Sequence, residues 1–393
     1  MDRTAHIVGT ATTPMQRRDL SIEEMAHRVV ADALSDAGMT PDQVDLVIVG
    51  NATAGRLLNQ ACIRGQSFLL DAGLSNAGII NVDNSCAGGA SALHLANLST
   101  LGGAGTVLAV GVEKMWTGHR METLAGIEDG VPEADRMFMH ANWENPSGSV
   151  LMALNAKWTI EHMEAWGTTV EQIGAAAVKA RKHGALNPHA QFQSEVTLEE
   201  VLTSSSIVPP LTRLMCSSFT DGAAAVVLTL KARAGAPRIL ASTARSGNGD
   251  IDYHERLAET AAVAWDTAGV DPADVDVVEL HDATSAEEIC ALESLGFFKP
   301  GDAGAATAAG DTTLGGKGVT VNTSGGLVSR GHPLGATGIA QVVELVAQLR
   351  DEAGARQVPG ARLAVAANTG GMIGSHAGTT DAAFIGIHIL EAG

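Results

Sequence analysis

Residues 37–53 read AGMTPDQVDLVIVGNAT, and residues 268–284 read AGVDPADVDVVELHDAT; the two align without a gap at an offset of 231. Each follows an Ala-rich run, EEMAHRVVADALSD in one case and LAETAAVAWDT in the other. Both spell the same local structure: a helix ending at Gly, a Pro/Asp turn, then a short apolar strand. An αβ unit that recurs at long spacing marks a duplicated chain.

Working outward from this unit, strands are expected at 5–10 (AHIVGT) and 238–243 (RILAST), opening the two halves, and at 106–112 (TVLAVGV) and 362–367 (RLAVAA) later in each. Between them lie two Gly-rich turns running into helices, NSCAGGASALHLA at 84–96 and GHPLGATGIAQVVELV at 331–346. Each half therefore reads strand–helix–strand–turn–helix–strand, an α/β layout whose ligands bind beyond the carboxyl ends of the strands. A segment at about 116–220 has no counterpart and is richer in Met, His and Trp. It reads as an insertion folded over the site and followed by a return strand, DGAAAVVLTL at 221–230. The expected organisation is a first half at 1–235, carrying the insertion, and a second half at 236–393.

Composition narrows the function. The chain has 393 residues, 45% of them hydrophobic and only 18% charged, enough for a large core built from small and β-branched side chains. A net charge of −19 argues against nucleic acid or an anionic membrane as partner, since both need a basic face. An anionic cofactor would need helix N-termini or local Arg and Lys. Cys62, Cys86, Cys216 and Cys290 are scattered, without metal-binding spacing, which suits free thiols in a reducing compartment. No apolar run approaches the roughly 18–20 residues of a membrane span, and the N-terminus has no charged-then-apolar leader pattern; a cytoplasmic protein without metal is expected.

Four constellations carry chemistry. In NSCAGGAS, from Asn84 to Ser91, Cys86 stands at a helix start, where unpaired N–H groups and the helix dipole favour the thiolate. In NTSGGLVSRGHPLGATG, from Asn322 to Gly338, His332 also precedes a helix, where the dipole favours a neutral imidazole able to take a thiol proton. His281 ends the strand in VELHDAT, and ANTGGMIG, from Ala367 to Gly374, supplies a further Gly-rich strand end. Cys216 and Cys290 read as packing residues, as do Trp116, Trp143, Trp158 and Trp166.

Taken together, NSCAGGASAL, NPHAQF…PPLTRLMCSSFTDGAAAVVL, VELHDATSAEEICALESLGFF and NTSGGLVSRGHPLGATGIAQVVELVAQLR resemble the thiolase superfamily, and within it the sterol-carrier-protein-type thiolases. The resemblance spans nearly the whole chain. It implies a duplicated five-layer α-β-α-β-α fold with an inserted loop domain, coenzyme A thioesters as substrates, and a dimer or larger assembly. It also implies roles: Cys86 as the acylated nucleophile, His332 as its activator, His281 with His332 around the thioester oxyanion. Backbone N–H groups of Cys86 and of the Thr369–Gly370 turn would form a second oxyanion hole.

The departures from the family pattern matter as much. The second acid/base cysteine expected near the C-terminus is missing, because that turn reads Ala367-Asn368-Thr369-Gly370-Gly371. Alternative positions for such a group hold Ala283 and, again, Ala367. His140, His119 and His162 in the insertion are candidates to replace it, His140 first. An NxGG turn of this kind resembles members that work with a small zinc-ribbon/OB-fold partner. Three activities stay open: a CoA-dependent acyltransferase cleaving or forming a 3-oxoacyl-CoA through acyl-Cys86, a retro-aldol lyase acting on a β-hydroxyacyl-CoA, and a non-catalytic lipid- or CoA-binding protein.

Overall fold

A computed structural model describes residues 3–17 and 19–393. The strands of the first half are His6–Thr12 (β1), Leu46–Gly50 (β2), Gly78–Val82 (β3), Thr106–Glu113 (β4) and Gly222–Thr229 (β5). Those of the second are Arg238–Arg245 (β6), Val277–Glu279 (β7), Thr320–Val321 (β8), Leu363–Ile373 (β9) and Asp381–Glu391 (β10). They hydrogen-bond in the order β8-β7-β9-β10-β6-β1-β5-β4-β2-β3. Read outward from the centre, each half has the same arrangement: opening strand, return strand, then the third, first and second strands of its αβ succession. The two five-stranded sets join only through β1 and β6, by the single pair His6 and Arg238.

The helices that layer these sheets are Ile22–Ala37 (α1), Gly88–Leu101 (α2), Tyr253–Ala268 (α8), Ser285–Ser294 (α9) and Leu334–Leu349 (α10). Between them in sequence, the insertion contributes Arg120–Glu128 (α3), Glu133–Asn142 (α4), Val150–Trp166 (α5), Val170–Ala185 (α6) and Leu198–Thr203 (α7). The repeat is physical as well as textual. α1 starts at a reciprocal cap in which the Glu24 N–H donates to Ser21 Oγ (3.2 Å) and the Ser21 N–H donates to Glu24 Oε2 (2.7 Å). It stops at Gly38, and α8 stops at the equivalent Gly269, both left-handed at φ 64° and 67°. A one-turn 3₁₀ helix opened by Pro41 or Pro272 then leads into β2 or β7.

Three apolar interiors separate the layers. Met25, Val29 and Leu34 of α1 pack on the outer face of the first sheet, against Val47 and Val110. Leu257 and Ala261 of α8 pack on the outer face of the second, with Ile387 and Ile389. Between the sheets, Leu93 of α2 and Ile339, Val342 and Leu345 of α10 share a cluster with residues of both, such as Val226 and Ala364. The result is the expected five-layer α-β-α-β-α fold. β4 and β5 are buried along their whole length, as strands covered on both faces must be.

The halves differ most in what links the strand pair β4/β5 and its counterpart β9/β10. Residues 374–380 make a tight connection in the second half, whereas 114–221 hold the insertion in the first. ANTGGMIG is not a turn. β9 continues through it to Ile373, paired with β10 from Leu363–Glu391 to Ile373–Asp381, and the chain reverses only after Gly374. Among the described residues no helix is long and apolar enough to cross a membrane.

Candidate active site

Cys86 and His332 each stand two residues ahead of a middle-layer helix, α2 and α10. They are therefore brought together if the two helix N-termini meet, and glycine lets them meet. A Cβ on Gly338 would lie 2.5 Å from Ala90 N, and one on Gly89 would lie 2.8 Å from Gly335 O. Any side chain there would push the helices apart. His281 arrives from the end of β7, and the three residues converge: Cys86 Sγ and one ring nitrogen from each histidine all lie within 4.8 Å of one another. The imidazole centroids are 5.1 Å apart, with the rings nearly perpendicular at 74°. Among the described residues this is the one Cys/His/Asp/Glu group whose spacing would admit a metal ion.

Hydrogen bonds orient both rings. Thr337 Oγ1 donates to the Pro333 carbonyl (3.0 Å), so it accepts from His332 Nδ1–H (2.8 Å). That leaves His332 Nε2 as the lone-pair nitrogen, the atom able to take a thiol proton. His281 Nδ1 lies 3.1 Å from Thr369 Oγ1, and Tyr253 Oη lies 3.5 Å beyond. His281 Nε2 is buried without a hydrogen-bond partner, a polar atom held ready for a ligand. Gly370 passes so close to the Cys86 turn that a Cβ there would sit 2.1 Å from Asn84 O and 2.4 Å from Ala87 N. The Thr369–Gly370 backbone thus flanks the sulfur, as strand and not as turn.

Burial sets the protonation states. The Cys86 thiol is pushed up to about 12 by desolvation; a hydrogen bond from Ser85 opposes this and the charge of Glu113 adds to it. The expected dipole effect does not win, because α2 begins only at Gly88 and Cys86 sits in the preceding 3₁₀ turn, 8% exposed. His281 falls to about 4 through desolvation, and His332 falls well below its usual value through desolvation, then His281 and Arg330. At neutral pH the resting site is a neutral thiol between neutral imidazoles.

The three residues open into a largely apolar cavity that reaches solvent. Its floor is Cys86, His281, His332 and the Thr369–Met372 stretch of β9; the insertion roofs it with Leu124, Ile127, Met152, Asn155 and Trp158, and Arg120 stands at the rim. Apolar side chains dominate the walls, and the polar groups gather at the floor. Of the tryptophans expected to pack, Trp158 does both: it is 5% exposed, stacks on Tyr253 (4.9 Å between centroids) and lines the cavity.

His119, His140 and His162 of the insertion lie outside this cavity wall. His140 lies on α4 with its ring half exposed and Nε2 3.3 Å from Glu128 Oε2, outside the cavity wall. His119 is exposed ahead of α3, and His162 Nε2 pairs with Glu293 Oε2 (2.8 Å) in a separate cleft. α4 turns its histidine toward the insertion's own Glu128, and sequence spacing carries no signal of that. Cys216, in contrast, does line the cavity, its thiol donating to the Thr212 carbonyl (3.4 Å). Sequence reading missed Tyr253 and Glu287, which share that wall. Tyr253 is the sole tyrosine of the chain, the only hint available; Glu287 looks like an ordinary first-turn helix acid.

A five-layer duplicated fold with a cysteine and two histidines meeting between its halves defines a thiolase-type protein. The chain matches the thiolase N-terminal domain over residues 5–232 and the thiolase C-terminal domain-like family over 241–380. It belongs to the thiolase family. It is 36% identical to an acetyl-CoA acetyltransferase of Methanothermobacter thermautotrophicus, covering 95% of this chain and 98% of the relative. Sterol carrier protein 2 of Bos taurus is 37% identical over 88% of this chain and 66% of its own length. Benzoylsuccinyl-CoA thiolase subunit BbsB of Thauera aromatica is 32% identical over 94% and 96%. Among solved structures, an Ltp2-ChsH2(DUF35) aldolase superposes with a TM-score of 0.79 at 21% identity, covering 99% of this chain and 98% of that one. These relatives place the chain with the sterol-carrier-protein-type thiolases.

Proposed function

We propose that the protein is a CoA-dependent acyltransferase that cleaves or forms the C–C bond of a 3-oxoacyl-CoA through an acyl-Cys86 intermediate. One observation carries the reading: the sulfur and the two imidazoles, drawn from opposite halves, share one pocket within 4.8 Å. His332 Nε2 takes the Cys86 proton as sulfur attacks the carbonyl. His281 Nε2 and the protonated His332 then face the developing oxyanion, while the backbone N–H groups of Cys86 and Gly370 serve the second tetrahedral step. The Arg120 side chain at the rim is suited to the coenzyme A phosphates. A dimer or larger assembly in a cytoplasmic setting belongs to this reading. Incubation with acyl-CoA followed by intact-mass analysis is expected to add one acyl mass, mapped to Cys86; an unmodified protein under conditions that label a control thiolase would refute it.

A second reading has a specific basis. Asn368 stands where the CxGG-like turn of the family carries its second cysteine, and a structure of similar fold is named as an aldolase with a DUF35 partner, while the Thauera relative is named as a subunit. In that reading the protein works with a small partner as a retro-aldol lyase on a β-hydroxyacyl-CoA. Cys86→Ala separates the two, since a lyase keeps substantial turnover and an acyltransferase loses on the order of 10⁴-fold.

A further inference from the structure

Breaking a 3-oxoacyl-CoA between C2 and C3 leaves an electron pair on C2, and some group must deliver a proton there. Besides Cys86 and the two imidazoles, the titratable side chains on the cavity wall are Arg120, Cys216, Tyr253 and Glu287. Arg120 does not exchange protons at ordinary pH. The Cys216 thiol is engaged with the Thr212 carbonyl, and Tyr253, whose Oη is 3.5 Å from Thr369 Oγ1, is held well above its usual pKa by burial and the neighbouring charge of Glu287. Glu287 is the sole carboxylate on that wall among the described residues, and it is 4% exposed. Its two oxygens have different surroundings. Oε2 lies 3.3 Å from His254 Nε2, whereas Oε1 is buried without a hydrogen-bond partner. A buried acidic oxygen left unpaired beside a reactive cavity is costly unless a ligand or a proton completes it.

The surroundings fit a proton-transfer role. His254 is held from behind by Asp252, whose Oδ1 is 3.5 Å from His254 Nδ1 and also accepts the His254 N–H. Burial works against a charged ring there, but Glu287 and Asp252 outweigh it and keep its pKa well above the usual value. The rings of Trp158 and Tyr253 pack against His254, with centroids 5.2 and 4.7 Å away. Ala283, also on the wall, takes up little room where a bulkier residue would crowd the floor.

We infer that Glu287 is the acid/base residue that moves the proton at the substrate α-carbon, with His254 as its positioning residue. The inference rests on the acyl-Cys86 reading above. In the cleavage direction Cys86 sulfur bonds to C3, its proton passing to His332 Nε2, and the C2–C3 bond breaks with its electron pair going to C2. Glu287 passes to C2 the proton held in its pair with the His254 imidazolium, releasing acetyl-CoA and leaving a carboxylate beside a neutral imidazole. The thiol of incoming coenzyme A returns a proton to Glu287 as its sulfur attacks the acyl-Cys86 carbonyl, and the departing Cys86 sulfur recovers its proton from His332. Synthesis runs the same steps backward, starting with Glu287 taking an α-proton.

The test measures deuterium uptake at the methyl of acetyl-CoA in D₂O, alongside acyl labelling of Cys86, in the full chain. Glu287→Gln is expected to lose roughly 10²–10⁴-fold in exchange while Cys86 labelling persists, which also shows that the variant is folded. Glu287→Asp restores part of the exchange, His140→Ala exchanges like the parent because its ring lies outside the cavity wall, and His254→Gln lowers the exchange rate at saturating acetyl-CoA with KM unchanged. Parent-like exchange by Glu287→Gln, loss of exchange by His140→Ala, or no exchange by the parent protein overturns the assignment. Absence of Cys86 labelling in the parent, with exchange intact, strikes the acyl-enzyme reading and leaves the role of Glu287 standing.

Discussion

The same αβ unit ends in opposite ways in the two halves. By the 231-residue offset, Gly50 of the first half corresponds to His281 of the second. At Gly50 the strand end is closed: an added Cβ would lie 2.5 Å from the Gly88 carbonyl oxygen, so β2 butts against the start of α2. At His281 the strand end is open, and the position carries a ring into the cavity. The starts of the middle helices differ likewise, one preceded by a thiol and the other by an imidazole. Duplication supplied two equivalent strand ends and two equivalent helix starts. Divergence made one strand end a packing surface and the other a cavity-lining one, and put a thiol ahead of one helix start and an imidazole ahead of the other.

That comparison can be broken in graded steps. The largest effect is expected at the open end: His281→Ala should lower kcat by roughly 10²–10³-fold, the usual loss for an oxyanion donor. Its melting temperature should stay close to that of the parent, because the ring borders a cavity and one of its nitrogens has no partner. A parallel loss of stability would mean that His281 is a packing residue like its counterpart. The closed end should behave in reverse. Gly50→Ala is expected to cost about 1–3 kcal/mol in denaturant unfolding, since the new methyl meets backbone and not a movable side chain. An unchanged midpoint would show that the contact between β2 and α2 is not tight.

The smallest effect concerns pH. β10 carries the buried His388 where β5, its counterpart, reads GAAAVVLT. Desolvation, with a contribution from His94, lowers His388 to about 3. The unfolded chain binds this proton near pH 6.5 and the folded chain does not, so the stability from neutral His388 is full above pH 6.5 and is lost as pH falls toward 3. The slope is at most about 1.4 kcal/mol per pH unit. Glu113 and Glu279, raised to about 7 chiefly by burial, act oppositely, gaining stability as pH falls from 7 toward 4.5. The clean measurement is therefore differential: His388→Gln should show a shallower decline of melting temperature between pH 6.5 and 4.5 than the parent, and an equal decline would remove His388 as a cause.

The sequence carried more of the fold than of the proton chemistry. The repeat, the capping glycines at 38 and 269 and the long insertion were legible because each is written in local spacing, whereas the trio Cys86, His281 and His332 was joined by the resemblance of its motifs to the thiolases. Three readings were changed by distance in space. Cys86 was expected to be acidified by a helix start, yet the layers bury it and raise it to about 12. His140 was expected to reach the site, yet it meets Glu128. The Gly-rich ANTGGMIG looked like a turn, yet pairing with β10 extends the strand to Ile373. The carboxylate that faces the cavity escaped notice because Glu287 also fits a first-turn helix position, its N–H donating to the Thr284 cap (3.3 Å).

What the amino-acid order determined alone is that two copies of one αβ unit exist, and which reactive groups end their strands and open their helices. Such features depend on residues a few positions apart, within reach of local sterics and hydrogen bonding. What only the tertiary structure decided is which atoms from Cys86, His281, His332 and Glu287 share a cavity and which of them hold protons. Both follow from the packing of helices α2 and α10 between the two sheets, where water is excluded and the cost of charge is set by neighbours far away along the chain.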